Sequence, residues 1–211
     1  MEESDHLSRL IGEIYDASLN PELWPHVIER SCNFVGGWSG GLFAQDTVKQ
    51  TGNAYYTWNI NEEYIRLYFG TYLAISPFMP TLMFFNVGDV IGNEDLISHE
   101  EFRATRFYRE WARPQGLVDT VASNVEKSST SHAVFSIMRH ERNGVVDDKM
   151  RRQFGLLVPH VRRAVLIGKV IDLHKVEAAA MADALDGLAA GVLLVNADAR
   201  VVHANSRPKN D

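Results

Sequence analysis

The sequence predicts an α+β fold: an antiparallel β-sheet flanked by helices, then a long connecting helix and a terminal β-hairpin. Three observations carry this. Two pairs of strand-like runs lie close in sequence, 41–44 with 54–58 and 117–125 with 133–139, each pair joined by a polar segment. Amphipathic helical stretches precede and separate the pairs, as in an antiparallel sheet covered by helices. Residues 147–188 then read as one nearly unbroken helix of roughly 40 residues, about 60 Å at 1.5 Å per residue, longer than packing on one small domain requires.

In chain order, Leu7, Leu10, Ile11, Ile14 and Tyr15 share one face of a first helix. Asn20-Pro21 stops it and starts a second, with Asn20 as cap and Pro21 at the first helical position. Trp24, Val27, Ile28 and Phe34 form that helix's buried side, and Gly36-Gly37 ends it. After the first strand pair, Asn61 caps a third helix carrying Tyr64, Ile65, Tyr68 and Tyr72. Ser76-Pro77 and Pro80 punctuate the chain, and 84–91 reads as extended. Ser98-His99-Glu100-Glu101 has the form of a capping box, opening a helix along Phe102, Phe107, Tyr108 and Trp111 that Pro114 and Gly116 close. The second strand pair turns through the Ser/Thr-rich stretch 127–131, and Asn143-Gly144 makes a turn before the long helix.

Asp147 and Asp148 can cap that long helix, where carboxylates meet free backbone N–H groups. Apolar or small residues recur at Met150, Phe154, Leu157, Val161, Ala164, Gly168, Ile171, Ala178, Ala182 and Leu185, a 4-3 spacing broken at Lys175. Such a seam suits a partner helix, with Phe154, Leu157, Val161, Ala164, Gly168 and Ile171 as the dimerisation face, or equally the core of the chain's own domain. Pro159 removes a backbone donor and is expected to kink or split the rod near residues 157–158. Beyond it, 191–196 and 200–204 form two strands around Asn196-Ala197-Asp198-Ala199. A lone hairpin is marginal, so these strands ask for a partner sheet, as though a second domain had begun and been cut off. Residues 206–211 are polar. The expected division is thus 1–146, 147–188 and 189–211.

With 211 residues and 45% apolar content the chain can bury a sizeable core. A formal charge of -6 provides no overall basic field for nucleic acid or anionic membrane. The single cysteine, Cys32, excludes an internal disulfide and fits a reducing cytoplasm. The acidic N-terminus lacks the order of a secretory signal, and no apolar run approaches the roughly 18 residues of a membrane span. A cytoplasmic location is expected.

Gly37-Trp38-Ser39-Gly40-Gly41 matches the G-x-S-x-G pattern of a hydrolase elbow, but the elbow needs strand before and helix after, and here the order is reversed. A tight helix-to-strand turn explains it without catalysis. The scattered histidines and single cysteine fit no metal motif, and no phosphate-cradling glycine loop is present, so neither metal nor cofactor is expected. Arg139, Arg142, Lys149, Arg151, Arg152, Arg162 and Arg163 cluster, but Glu141, Asp147 and Asp148 interrupt them, as on a charged helix face.

The feature above background is aromatic. Between Tyr55 and Trp111 the chain carries Tyr56, Trp58, Tyr64, Tyr68, Phe69, Tyr72, Phe78, Phe84, Phe85, Phe102, Phe107 and Tyr108. Rings with polar handles can line an apolar cavity while offering a few oriented donors. The alternative is a solid core in which those handles bond to backbone.

Two resemblances bear on that choice. Asn59-Ile60-Asn61-Glu62-Glu63-Tyr64, Tyr68, Ile75-Ser76-Pro77 and Gly116-Leu117 resemble the ligand-sensing domain of LuxR-type transcription regulators. There, a Trp, a Tyr four residues on and an Asp before a Pro hold an acyl-homoserine lactone. By position Tyr64 stands for the Trp, Tyr68 matches the Tyr, and Ser76 replaces the Asp, trading a charged acceptor for a weaker neutral one. The second rests on Asn20-Pro21-Glu22-Leu23-Trp24, the run from Arg106 to Asp119, and Val158-Pro159-His160-Val161-Arg162-Arg163-Ala164-Val165. These are similar to the amino-terminal half of a proteobacterial group of helix-turn-helix regulators with a GAF-like or autoinducer-like domain, a linker helix and a PAS-like segment. Gly191-Val192-Leu193-Leu194-Val195-Asn196 with His203-Ala204-Asn205 is similar to the opening hairpin of a PAS domain.

The resemblance implies a non-catalytic sensory domain that binds a small organic molecule and signals through the long helix. Tyr56, Trp58, Tyr64, Tyr68, Ser76 and Trp111 are the expected contacts, with Asp119 as a polar anchor. It also implies a homodimer, or a heterodimer with a full-length relative; because the sequence departs from that group in having no helix-turn-helix, no direct DNA binding by this chain is expected, and its charge and hydropathy suggest no membrane partner. A ligand-free dimerisation module is the alternative, and a Ser39 hydrolase a distant third.

Overall fold

The computed structural model describes residues 2–46, 48–49, 51–187 and 191–205, leaving the far end of the predicted rod (188–190) and the polar tail (206–211) outside. The chain divides into two compact units, Met1–Leu166 and Ile167–Asp211, a boundary that falls within the long helix rather than at the expected 146 and 188.

In the first unit, helix α1 (Glu2–Leu19) buries Leu10, Ile14 and Ala17, spaced by four and three along one face. Asn20 leaves the helix in an extended conformation and its side chain accepts from Glu22 N, while Pro21 opens a 3-10 turn that leads into α2 (Trp24–Val35). Gly36, at φ 75°, closes α2.

Five antiparallel strands follow, in spatial order β2-β1-β5-β4-β3. Strands β1 (Ser39–Asp46) and β2 (Thr51–Trp58) run further than predicted, because the polar ends pair in the ladder from Gln45–Gly52 to Asp46–Thr51. β4 (Leu117–Lys127) and β5 (Ser131–His140) form the central hairpin, and β5 pairs with β1 from Ser39–Met138 to Asp46–Ser131. β3 is only Ile91–Gly92. The predicted extended run 84–91 is therefore corrected. Asn86 N donates to Asp89 Oδ2 and Gly88 adopts φ 95°, so Asn86-Val87-Gly88-Asp89 is a turn.

Helix α3 (Glu62–Leu67), capped by Asn61, widens into a π-helical turn at Tyr68–Tyr72 and then tightens into a 3-10 turn at Leu73–Ile75. A short α4 (Met79–Leu82) follows. The predicted capping box opens α5 (His99–Ala104), with Ser98 Oγ accepting from Glu101 N. The helix expected to continue to Trp111 breaks at Thr105, which is extended; its hydroxyl accepts from Tyr108 N and so restarts the chain as a π-helical turn, Tyr108–Ala112.

The sheet is covered on both faces. On one, Leu42, Val121, Val125, Phe135 and Ile137 pack against α1, α2 and the first part of α6 (Asp148–Asp186). Phe135 stacks on Phe154 with centroids 4.9 Å apart at 13°. On the other, the π-helical turns, α4 and α5 cover Val134, Ala122 and Met138.

Asp147 Oδ1 accepts from Met150 N and caps α6. Of the kink or split expected at Pro159, the split does not occur: α6 is a single helix through that residue. Val158 and Val161 are fully buried on either side, and tertiary packing of this kind outweighs one missing hydrogen bond.

In the second unit, the rest of α6 ends where Gly187 N donates to Asp183 O. Strands β6 (Leu193–Val195) and β7 (Val201–Ala204) form a two-stranded sheet of their own. Asn205 fastens it, accepting from Val192 N at 2.6 Å and donating to Leu185 O at 2.9 Å.

Candidate functional site

Strand alternation sorts the sheet's side chains. Phe43 and Gln45 of β1, Thr120 and Ala122 of β4, and Val134, Ser136 and Met138 of β5 face the π-helical side. Above them lie Ile65 of α3, Tyr68 and Phe69 of the first π-helical turn, Phe78 and Leu82 around α4, and Phe107 and Trp111 at the second π-helical turn. Ile91, Gly92, Asn93 and Leu96 form one side wall. Together they surround a cavity of about 80 Å³. The roof rings pack on one another: Phe107 stacks on Trp111 at 5.0 Å, and Tyr68 meets Trp111 at 5.2 Å and Phe107 at 6.1 Å. A cavity of ~150 Å³ holds a benzene ring, so without wall movement this one takes a smaller molecule.

Most polar handles around the cavity are already engaged. The Trp111 indole N–H donates to Tyr64 O at 2.9 Å. Tyr68 Oη accepts from Gln45 Nε2 at 3.2 Å and is hydrogen-bonded to the Ser76 hydroxyl. Desolvation pushes the Tyr68 phenol above its ordinary range, and those two hydrogen bonds oppose the shift. Among the described residues that line the cavity, three buried side-chain atoms have no protein partner: Gln45 Oε1 and both amide atoms of Asn93. Asn93 is 1% exposed. Among the described residues no Asp, Glu, Lys, Arg or His lines the cavity.

Of the residues expected from the sequence, the structure brings Tyr68 and Trp111 to the cavity, with Ser76, 3% exposed, behind Tyr68. Tyr64 lines a separate, open cleft of about 460 Å³ with Trp38, Asn59, Gln115 and Leu117. Tyr56 and Trp58 lie on the opposite face: Tyr56 stacks with Trp24 at 6.0 Å, and both pack against the helix-face core. Asp119 also turns away from the cavity, one residue out of step with Thr120. Its Oδ2 accepts from Val146 N at 2.8 Å and its Oδ1 from Thr120 N at 2.8 Å. Burial raises its pKa, while the hydrogen bonds from Val146, Thr120 and Asn93 N–H groups and nearby His99 oppose the rise. Tyr56, Trp58 and Asp119, expected among the contacts, thus lie outside this cavity, and the common cause is the period-2 alternation of strands, which puts neighbours on opposite faces.

The expected dimerisation face divides similarly. Phe154, Leu157, Val161 and Ala164 are each 0% exposed in the first unit's own core, so the seam's partner there is the sheet with α1 and α2. Gly168 and Ile171, beyond the boundary, are partly buried within the second unit. Ser39 opens β1 after a helix and is 1% exposed. A Cβ at Gly37 would stand 2.2 Å from Ile137 Cγ2, and one at Gly41 2.8 Å from Tyr56 O. Close packing thus accounts for the G-x-S-x-G pattern. Arg139, from the basic cluster, is buried and donates to the carbonyls of Gly36, Gly144 and Asn143.

Sequence reasoning missed Phe43, Gln45, Asn93, Thr120 and Ser136. Extending the first strand by two residues would have put Gln45 on the same face as Phe43. Asn93 carried no signal, since Gly92-Asn93-Glu94-Asp95 has the composition of an ordinary turn.

That turn also touches α6. Asp95 Oδ2 accepts from Gly92 N at 2.7 Å and from Arg151 Nη1 at 2.6 Å. A Cβ at Gly92 would stand 2.4 Å from Arg151 Nη2, so glycine leaves room for the guanidinium against the strand. The Asn93 backbone N–H is hydrogen-bonded to Asp119, which holds Val146 just before α6.

No protein-family model matches the chain, and no curated protein matches it. Solved structures do. The VqsR LBD domain of Pseudomonas aeruginosa matches 76% of this chain and 94% of its own, with a TM-score of 0.63 at 18% identity. Escherichia coli SdiA1-171 in solution matches 79% and 97%, with a TM-score of 0.53 at 20% identity. A phycoerythrobilin-bound GAF domain from a cyanobacterial phytochrome matches 81% and 97%, with a TM-score of 0.53 at 11% identity. The chain therefore has the α+β fold shared by LuxR-type ligand-binding domains and GAF domains, a likeness of fold.

Proposed function

We propose that the Met1–Leu166 unit is a sensory domain that binds a small organic molecule in the cavity and reports its occupancy through α6, without catalysis. The observation that carries this is the side wall Gly92–Asp95. One side of it lines a ring-roofed cavity with unpartnered amide atoms, and the other is bonded to Arg151 of α6. A ligand that binds better when this wall is drawn inward shifts the Asp95–Arg151 and Asp119–Val146 attachments, and with them the start of the helix. Tyr68 and Trp111 bound the ligand, and Ser76 fixes Tyr68. The likeness to LuxR-type ligand-binding domains supports a sensor. The cavity volume and the Ser at position 76 favour a compact ligand over an acyl-homoserine lactone.

The test is native mass spectrometry of protein purified from its host, followed by thermal unfolding with and without the recovered molecule. A bound small molecule that raises Tm supports the sensor; protein free of any bound molecule, with no Tm rise across a broad metabolite panel, refutes it.

A dimerisation role for the second unit has its own support. Ile167, Val170 and Met181 share one face of α6 and are 40%, 54% and 60% exposed. An apolar row of this kind suits the same helix of a twin subunit, which moves the pairing surface beyond Ala164. Sedimentation equilibrium of the intact chain should give a dimer that Val170→Glu dissociates; a wild-type monomer at high concentration would end this reading.

A further inference from the structure

The cavity's chemistry narrows what it accepts. A buried carboxamide with neither atom bonded to protein is costly, because its donor and acceptor have both left water. Asn93 is in this position at the cavity wall, and Gln45 Oε1 of β1, in the same lining, is a second acceptor without a protein partner. Gln45 itself is held by the bond from its Nε2 to Tyr68, so its oxygen is fixed in orientation. The rest of the lining is apolar or hydroxylic, and none of it is charged among the described residues. A cation or anion would be buried there without a counter-charge, which is prohibitive.

Resting on the sensor reading, we propose that the ligand is a compact, neutral molecule with a hydrogen-bond donor and acceptor on one edge, as in a lactam, primary carboxamide or urea, read by Asn93. A carboxamide offers C=O and N–H side by side, and it pairs with such an edge through two parallel hydrogen bonds, as Asn does with the adenine edge. A second N–H on the ligand can donate to Gln45 Oε1. The apolar remainder lies beneath Tyr68, Phe107 and Trp111. A ligand that leaves one of the two amide atoms unbonded does not relieve that atom's desolvation cost, so an acceptor-only analogue binds more weakly.

The test uses matched four-heavy-atom molecules, smaller than benzene: acetamide (donor and acceptor), acetone (acceptor only) and isobutene (neither), titrated into the full chain by protein-observed NMR. In the wild type the amide should bind at least about tenfold more tightly than the ketone, since a site built for hydrogen bonds rejects analogues lacking them. Asn93→Leu should abolish that preference while still binding isobutene. If Asn93→Leu does not fold, Asn93→Ser serves for the same comparison. Equal affinity for amide and ketone in the wild type, or a preference that survives substitution at Asn93, overturns the ligand class and leaves the cavity reading intact. Failure of all three molecules to perturb the wild type overturns both.

Discussion

The two faces of the sheet use similar residues to opposite ends. Toward α1, α2 and α6 the strands present Leu42, Val121, Val125, Phe135 and Ile137, all under 5% exposed, and the helices fill the space above them with Phe154, Leu157 and Ile28. Toward the π-helical turns the same strands present Gln45, Thr120 and Ser136 among apolar neighbours, and about 80 Å³ stays open. The difference lies in the cover. Regular α-helices present evenly spaced ridges that interdigitate with a sheet, whereas a chain broken at Thr105 and widened into π-helical turns cannot match the pleat at every position. One face is built for stability, and the other gives up some stability to keep room for a ligand.

The largest effect that would sharpen this contrast is Phe154→Ala. The ring is 0% exposed and stacked on Phe135, so truncation should cost ~3–5 kcal/mol in chemical denaturation. Binding to the folded fraction should not change. A loss under about 1 kcal/mol would mean that the helix face is not solidly packed.

Asn93→Leu should act in the opposite direction. Removing an unpartnered buried amide should raise the stability of the ligand-free protein by ~1–3 kcal/mol, read from the denaturation midpoint. A marked loss of stability would mean that Asn93 supports the fold.

The third effect depends on pH. The folded pKa of Tyr68 is raised above its ordinary 10.0. As pH climbs past that value the unfolded chain therefore releases the proton first, and stability falls until the folded phenol ionises as well. The slope is at most about 1.4 kcal/mol per pH unit. Tyr68→Phe removes this contribution, so the gap in stability between variant and wild type should drift in the variant's favour from about pH 9 to 11. A gap that stays constant would mean that the Tyr68 hydroxyl is not desolvated.

Arg151→Met should have the smallest effect on stability, within about 1 kcal/mol, because the pair is partly open to solvent at 27% and 38% side-chain exposure. Its consequence should be functional. Ligand binding should slow hydrogen exchange at the start of α6 in the wild type and leave it unchanged in the variant. Equal protection in both would remove the Asp95–Arg151 contact from the signalling route.

Much of the sheet's framework was readable from local chemistry. Asn20-Pro21, Asn61, the Ser98–Glu101 box, Gly116 and Asn143-Gly144 each fix a backbone choice within a few residues, and the structure uses each as read. The aromatic density from Tyr55 to Trp111 marked the region of the cavity, and Tyr68 and Trp111 line it. Tyr56, Trp58 and Asp119 were placed with them because density along a chain does not say which face of a strand a residue takes. The seam of α6 was equally ambiguous. Its 4-3 spacing records that one face is apolar and leaves open whether a sheet or a twin helix covers it.

The sequence by itself determined the order of the main helices and strands and the ends that carry a cap or a turn, because capping, turn formation and helical amphipathicity act over fewer than about five residues. The tertiary structure alone decided which side chains surround the cavity and what α6 packs against. Those outcomes depend on strand register and on contacts between distant segments: Asn93 meets the cavity, and Asp95 meets Arg151, only once β3 has paired with β4 and α6 has folded back across the other face. Long-range pairing of this kind leaves no periodic trace in the residues it joins.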